Sequence, residues 1–349
     1  MKQFQVKNSN SGVVFSVNEG ESILTAALRQ SVMLPYSCKN GTCGSCKGVV
    51  ESGEVHYPFH PPLALSREEI GEGCALFCQA EPIEDLVIRV REIEAVRDIQ
   101  IRKMPARVIE KTRLTPEVMR IKIKLPSAQR LQFLAGQYLD ILLPEGKRRA
   151  FSIASPPHSE DVLELHIRHI DGGGFTGWVF EDMQERDILR LEAPQGNFFI
   201  RNDKIDRPMI LMGGGTGIAP LKSMIEDLLA HHDTRPLHLF WGVRDHAELY
   251  MHEQARQWAE QNEHIQYSTA LSEPKDGDQA PDFTGFVHDA VLQRFPDLSA
   301  HDIYMSGPPA MIDVSRAAFL SHGAEKRRIY FDSFEFGLDV PVRVLAKPH

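Results

Sequence analysis

Apolar and polar positions alternate from the start of the chain. Phe4 and Val6 fall on one side of the alternation and Gln5 and Lys7 on the other. Val13, Phe15 and Val17 repeat the pattern after the turn-forming run Asn8-Ser9-Asn10-Ser11-Gly12. A period of two on either side of a Gly/Asn/Ser cluster predicts a hairpin over 4–7 and 13–17. Glu21 to Arg29 reads as a short helix, and Leu86 to Val90 as a strand that closes a small sheet. Short alternating strands return over Arg107–Leu125 and Leu139–Leu143, the pattern of an antiparallel barrel. From about residue 205 the pattern changes. Pro208–Met212, Leu237–Val243 and Ile303–Met305 are unbroken apolar runs, and a helix over Leu221–His231 follows the first. Runs of that kind suit a parallel sheet buried on both faces. The expectation is an α+β multidomain chain.

Length and composition narrow this picture. The 349 residues suffice for two domains, or three compact ones. With 42% hydrophobic and 25% charged residues the chain is neither disordered, collagen-like nor disulfide-dense. A net charge of −9 argues against nucleic acid as a partner. No apolar run approaches the roughly 20 residues that span a bilayer, so no membrane partner is expected. The first residues lack the apolar core of a signal peptide, so a cytoplasmic location is expected. All five cysteines lie within the first 78 residues. In a cytosolic chain such clustering points to metal or redox chemistry, and an odd count leaves one without a disulfide partner. The fifteen histidines form no metal-spaced set such as H-E-x-x-H.

Cys38, Cys43 and Cys46 have C-x4-C-x2-C spacing, and Cys78 follows. Three thiolates from one short loop must converge on one centre, so the chain has to curl tightly around it. Gly41 and Gly44 permit that curl and let amides approach the sulfurs. The spacing is that of a plant-type [2Fe-2S] centre. Tetrahedral zinc also takes four cysteines, although only Cys43 to Cys46 has the C-x2-C spacing of a zinc knuckle. No C-x-H knuckle exists, which excludes a Rieske centre. Residues 1 to about 92 resemble a plant-type ferredoxin, and the loop fits that family's C-x-x-G-x-C-G-x-C at every fixed position. The resemblance implies a β-grasp domain with Cys38, Cys43, Cys46 and Cys78 as ligands. Cys78 lies in Leu76-Phe77-Cys78-Gln79, like the family's L-x-C-Q, whereas Cys74 occupies a position the family leaves variable.

Between Val96 and Arg130 ten Lys or Arg face three acids, while residues 1–95 carry eight bases against twelve acids. The favoured reading places these charges on the solvated faces of outer strands. The alternative is attraction between an acidic and a basic domain across a short linker. Either way a boundary is expected near 95–103.

Further along, Arg149-Ala150-Phe151-Ser152 resembles the R-x-[YF]-[ST] flavin motif of the ferredoxin–NADP reductase superfamily. An arginine can pair with a phosphate, the Phe151 ring suits an isoalloxazine, and Ser152 can donate toward flavin N5. Asp171-Gly172-Gly173-Gly174-Phe175-Thr176 then resembles the family's flavin pyrophosphate loop, with a helix expected from Gly177. There bare amides at a helix N-terminus bind the anion and the Thr176 hydroxyl assists. Ala193-Pro194-Gln195-Gly196-Asn197-Phe198 looks like G-P-x-G-x-F with alanine in the first place. Strand, glycine loop and helix recur at Gly213-Gly214-Gly215-Thr216-Gly217-Ile218-Ala219-Pro220, similar to the superfamily's G-G-T-G-x-A-P pyrophosphate cradle. Arg244 stands where the family meets the adenosine half of the dinucleotide. Ser306-Gly307-Pro308-Pro309-Ala310-Met311 resembles the C-G-P-x-x-M turn beneath the nicotinamide, with serine for cysteine. Phe336 is placed to cover a flavin or to pack in the core.

The resemblance therefore implies a ferredoxin domain at 1–95, an FAD-binding barrel at 103–204 and a parallel-sheet NAD(P)-binding domain at 205–338. Their joint activity would be that of an iron–sulfur flavoprotein reductase carrying electrons from NADH or NADPH through FAD and a [2Fe-2S] cluster. The acceptor would be a partner protein, with Ser152 and Ser306 flanking the hydride transfer. Within the superfamily the chain looks most like the CDP-6-deoxyglucoseen reductases, whose acceptor is a dehydratase, and next like reductase components of mono- and dioxygenases. A cluster that senses redox state without conducting is a third reading. The acidic residues after Arg244, Asp245 and Glu248, predict a preference for NADH.

Overall fold

The computed structural model describes residues 2–58, 64–93, 99–127, 131–159, 162–203 and 206–334. It divides into two compact units, Met1–Gln100 and Ile101–His349.

In the first unit β1 (Gln3–Asn8) and β2 (Val14–Asn18) form the expected hairpin, with Phe4 and Val6 paired to Val17 and Phe15. All four are buried while their polar neighbours face water. Helix α1 (Ile23–Arg29) starts on Ser22, whose hydroxyl accepts the Thr25 amide at 3.2 Å. Such a cap satisfies a helix donor that would otherwise lack an intrahelical partner. Next come β3 (Lys47–Ser52), β4 (Val55–His56), α2 (Arg67–Gly71), β5 (Cys74–Leu76), β6 (Glu81–Pro82) and β7 (Leu86–Arg89). Five of these strands form one sheet in the order β2-β1-β7-β3-β5. Only β1 and β7 run parallel within it, and β4 pairs with β6 separately. This is the small mixed-sheet ferredoxin domain that the resemblance implies.

The second unit opens with β8 (Arg102–Thr115) and β9 (Val118–Lys124), followed by β10 (Tyr138–Leu142), β11 (Arg148–Ser152) and β12 (Val162–Arg168). Helix α3 (Gly174–Glu181) and β13 (Ile188–Gln195) complete this half. Its six strands are antiparallel in the order β11-β10-β13-β8-β9-β12. The Ala154 amide, two residues past β11, donates to the Glu164 carbonyl on β12 at 2.8 Å. The two edges thereby approach and the sheet curls into a barrel. Met104, Ala106 and Val108 point into its core with Ile121 and Ile123. On the outer face Glu110 holds Arg120 at 2.7 Å and Lys122 at 2.8 Å. Among the described residues the basic run thus lies on the outward strand faces of the barrel, as one of the two readings expected.

The remainder alternates strand and helix: β14 (Met209–Gly214), α4 (Ile218–Ala230), β15 (Leu237–Val243), α5 (His252–Gln261), β16 (Ile265–Leu271) and β17 (Phe283–Thr284). Then come α6 (Val287–Arg294), β18 (Asp302–Gly307), α7 (Pro309–Ser321) and β19 (Ile329–Ser333). All six strands are parallel, in the order β17-β16-β15-β14-β18-β19. Every residue of β14 is buried, because Met209 and Leu211 join the core on one face and Ile210 and Met212 that on the other. Strand order reverses between β14 and β18. Loops at the carboxyl ends of such a pair diverge and leave a crevice, the usual ligand position in open α/β sheets. Among the described residues no helix is long and apolar enough to cross a membrane.

Candidate functional site

The loop after α1 brings Cys38, Cys43 and Cys46 together, and the segment after β5 adds Cys78. Two backbone bonds from the start of α1 fix that segment: Leu24 donates to the Phe77 carbonyl at 2.8 Å and Ile23 to that of Ala80 at 3.0 Å. The Phe77 amide donates in turn to the Cys46 carbonyl at 3.2 Å, which puts Cys46 beside Cys78. Gly41 has φ +85°, and a Cβ there would stand 2.5 Å from the Gln79 side chain, which itself donates to the Asn40 carbonyl at 2.6 Å. Only glycine satisfies both the angle and the space.

The thiols lie two and two. Cys38 hydrogen-bonds Cys43, and Cys46 hydrogen-bonds Cys78. The bond from Cys43 lowers the Cys38 thiol to about 5 against the opposing effect of burial, and the bond to Cys38 raises Cys43. Cys46 is likewise lowered and Cys78 raised by their mutual bond. Backbone amides already aim at sulfur, Cys43 N at Cys38 Sγ (3.4 Å) and Ser45 N at Cys43 Sγ (3.5 Å). Among the described residues no three His, Cys, Asp or Glu are disposed to hold a single metal ion. Two hydrogen-bonded pairs of cysteines with amide donors suit two irons, each taking one pair, better than one tetrahedral zinc. Cys74 sits on β5 opposite Val49, outside both hydrogen-bonded thiol pairs.

In the second unit, β11 carries Arg149, Ala150, Phe151 and Ser152 opposite Ile141, Asp140, Leu139 and Tyr138. The Phe151 ring lies 5.6 Å from that of Phe175, in the first turn of α3, so the two flavin motifs meet. Helix α3 begins at Gly174, earlier than the glycine run suggested, and its cap Gly173 provides no side-chain acceptor. The first-turn amides are therefore left to bind an anion. The Thr176 hydroxyl accepts from Ile170 N at 3.2 Å and stands 3.2 Å from the Gly173 carbonyl, which holds the loop in shape. The Ser152 hydroxyl donates to Asp332 Oδ2 at 3.1 Å.

At the sheet crevice the glycine loop and the turn after β18 touch backbone to backbone. A Cβ on Gly217 would lie 2.0 Å from the Ser306 carbonyl, and one on Gly214 would lie 2.5 Å from the Met311 sulfur. Thr216 is buried, and Gly215 accepts the Trp241 indole N–H at 2.9 Å. The Ser306 hydroxyl is buried without a hydrogen-bond partner among the described residues, although Ser306 pairs in register with Asp332. A buried hydroxyl in that position needs an explanation, and a ligand group in the crevice supplies one. Gly307 accepts the Phe334 amide at 2.9 Å, beside Pro308. Phe336 lies outside the described residues. Arg244 donates through Nε to Glu248 at 2.6 Å and through Nη2 to Glu117 at 2.8 Å. Asp245 turns away to cap the Ala247 amide (3.0 Å) and to hold Lys275 (2.5 Å).

Comparison with known proteins decides the family. Residues 6–82 match the 2Fe-2S iron-sulfur cluster binding domain, 105–200 an oxidoreductase FAD-binding domain and 211–317 an oxidoreductase NAD-binding domain. The chain is 35% identical over 331 residues to CDP-6-deoxy-L-threo-D-glycero-4-hexulose-3-dehydrase reductase of Yersinia pestis, covering 94% of this chain and 98% of that protein. It is 38% identical over 337 residues to the phenol hydroxylase P5 protein of Acinetobacter pittii, covering 95% and 94% respectively. The crystal structure of the Amycolatopsis cytochrome P450 reductase GcoB aligns with a TM-score of 0.79 at 34% identity, over 95% of this chain and 98% of that one. The chain belongs to the iron–sulfur flavoprotein reductases.

As such a reductase it carries domains for a [2Fe-2S] cluster, FAD and a nicotinamide dinucleotide. Sequence reasoning missed two groups in this reductase. Asp332 bonds Ser152 and pairs with Ser306, and its signal was a lone acid just before the aromatic Phe334. Lys222 and Ser223 on α4 hold the Ala154 and Ser155 carbonyls at 3.3 and 2.8 Å, fixing the strand end that carries Ser152. Nothing in the glycine-loop motif announces that second role.

Proposed function

We propose that this reductase takes hydride from NADH and delivers electrons singly, at the Cys38–Cys46 loop, to a partner protein that is a CDP-hexulose dehydrase. The alignment with the Yersinia dehydrase reductase supports this reading most, because it runs through all three modules and 98% of that protein. The 38% identity to the phenol hydroxylase protein favours an oxygenase component as the second reading. We assign the modules to 1–95, 103–204 and 205–338, and the protein to the cytoplasm, where reducing conditions keep its thiols available for iron.

Cys38, Cys43, Cys46 and Cys78 would hold the cluster, and amides of the loop would stabilise its sulfurs. Arg149, whose Nη1 donates to the Arg148 carbonyl at 2.8 Å, would pair with the flavin phosphate. Gly173, Gly174 and Phe175 would present amides to the pyrophosphate, with Thr176 holding the loop in shape. Ala150 keeps its strand against Asp140, and Phe151 offers its ring to the isoalloxazine. Gly214 to Gly217 would admit the dinucleotide. Ser306, Gly307 and Pro308 would line the nicotinamide side, where the buried Ser152 hydroxyl donates to Asp332. Flavin and cluster together supply the conversion of a two-electron donor into one-electron steps.

Arg244 is already neutralised by Glu248 and Glu117. Burial alone would raise Glu248, but Arg244 and Arg168 outweigh it and keep the carboxyl ionised. The positive charge of Arg244 is spent on Glu248 and Glu117 and is not left for an extra 2′-phosphate, so kcat/KM should favour NADH by tenfold or more, about 1.4 kcal/mol. Steady-state kinetics of the holoprotein with both dinucleotides tests this, and a tenfold preference for NADPH overturns it. The partner is tested by reducing a CDP-hexulose dehydrase and a phenol hydroxylase oxygenase component side by side. Sustained turnover with the dehydrase alone supports the first reading, and none with any protein acceptor leaves only a sensor.

A further inference from the structure

The outer face of β12 carries two polar side chains, Glu164 and His166. Leu163, Leu165 and Ile167 fill the barrel core from the other face, so the alternation turns Glu164 and His166 toward the nucleotide-binding half. The His166 side chain is 1% exposed. Its Nε2 stands 2.8 Å from Glu164 Oε1, and its Nδ1 3.1 Å from the Tyr250 hydroxyl. Burial would raise Glu164, but the His166 bond and the charge of Lys222 outweigh it and hold the carboxyl down at about 2. Burial lowers His166 and raises Tyr250, so the ring is neutral and the phenol keeps its proton. An ionised carboxylate only accepts, which assigns the ring proton to Nε2 and leaves Nδ1 to accept from Tyr250. One tautomer satisfies all three groups. The contacts run on at both ends. Lys222 on α4 stands 3.6 Å from Glu164 Oε1 and donates to the Ala154 carbonyl at 3.3 Å, just past Ser152. The Tyr250 ring meets Trp241 edge-on at 5.3 Å, and the Trp241 indole donates to the Gly215 carbonyl at 2.9 Å.

We propose that Tyr250, His166, Glu164 and Lys222 are positioning residues for hydride transfer: their contacts set the spacing between the Gly214–Gly217 loop and the strand end that carries Ser152. This rests on the reading of that loop as the dinucleotide cradle and of β11 as the flavin strand. The hydride, a proton with two electrons, leaves the nicotinamide and joins flavin N5, oxidising the one and reducing the other. The four side chains neither gain nor lose a proton. Rate is steep in geometry, and a misplacement of about 1 Å can cost a hundredfold. The glycine loop and the strand end are far apart in sequence, so side chains have to hold them in register. A glycine-rich backbone has little stiffness of its own. An imidazole engaged at both nitrogens is fixed in rotation and tautomer, and a buried polar network is rigid when every member is satisfied. Cutting the chain should therefore slow hydride transfer and spare binding of the adenosine diphosphate half.

The test uses full-length holoprotein: flavin reduction by NADH in anaerobic stopped flow, equilibrium binding of ADP, and flavin content as a control. Tyr250→Phe keeps the ring against Trp241 and removes only the hydroxyl. It should slow flavin reduction at least fivefold and leave ADP affinity within twofold, and His166→Gln should do the same. The double variant should be no slower than the slower single one, because both cut one chain. Nitrogen-15 spectra of histidine-labelled holoprotein should show His166 protonated at Nε2 and bare at Nδ1, the signal being identified by its loss in His166→Gln. Should His166→Gln fold poorly, Lys222→Met takes its place in the double variant and Tyr250→Phe carries the rest. Undiminished flavin reduction in Tyr250→Phe, ADP affinity that falls in step with rate, or single effects that multiply in the double variant overturn the assignment. The opposite tautomer of His166 overturns it as well. Wild type whose flavin NADH does not reduce overturns the reductase reading, and this assignment with it.

Discussion

Among single residues the cysteines divide most sharply. Cys78 is fixed by two bonds from α1 and paired to Cys46, whereas Cys74 lies on β5 apart from both thiol pairs. Cys78→Ser should abolish the visible absorption of the 2Fe-2S centre, and Cys74→Ser should leave it unchanged. Iron and sulfide analysis of both variants checks this, and the reverse outcome sinks the ligand assignment. Most of the site was legible at this scale wherever a motif is local: Cys38 to Cys46, Arg149 to Ser152 and Gly214 to Gly217 each lie within one short stretch. Asp332, Arg168 and Glu117 were not legible. Each acts on a partner 80 or more positions away in the sequence, or across the barrel–nucleotide junction, and a lone charge in a strand or turn carries no spacing to read.

At the level of elements, β15 occupies Leu237–Val243 as its apolar run predicts, and it carries a buried histidine. Burial, aided by the charge of Arg294, pushes His238 from 6.5 down to about 4. Its ring stacks on Phe240 at 4.0 Å, and Nε2 meets the Ser268 hydroxyl at 2.8 Å. The folded protein keeps this ring neutral while the unfolded chain protonates it near 6.5. The stability it confers is therefore complete above that pH and is lost as pH falls toward 4. Between pH 7 and 5 the loss should reach about 2 kcal/mol, and His238→Phe should lack that part of the acid sensitivity. Urea unfolding of both proteins at the two pH values measures the difference, and parallel pH profiles would refute it. Element types were legible because periodicity is local, while ends drifted. Helix α4 begins at Ile218 and not at Leu221, since the glycine loop itself turns into helix. Strand β8 begins at Arg102, inside the stretch read as a linker, because its exposed charges hid the alternation of Met104 and Ala106.

On the scale of the whole molecule the division after Gln100 has a functional counterpart. Residues 101–349 hold the barrel and the parallel sheet, and a fragment should begin there and not at 103, because Arg102 already pairs with Ala193. That fragment should bind FAD and reduce ferricyanide with NADH at near the full-length rate, yet fail with the protein acceptor. Stopped-flow and steady-state assays of fragment and full chain decide it. Equal rates with the protein acceptor would take the cluster off the electron path. The thiol pairs carry one more consequence, for assembly. Cys38 and Cys43 are five positions apart, and Cys46 and Cys78 are thirty-two apart. Bridging the near pair restrains the unfolded chain by about 2 kcal/mol, and bridging the far pair by nearly twice that, on a loop-closure estimate. The near pair can gather in a chain still being made, whereas the far one waits until β5 has zipped onto β3. Iron starvation would therefore undo the far clasp at the greater cost, loosening residues 1–100 while the flavin half stays intact, and the protein's lifetime in the cell would follow its supply of iron.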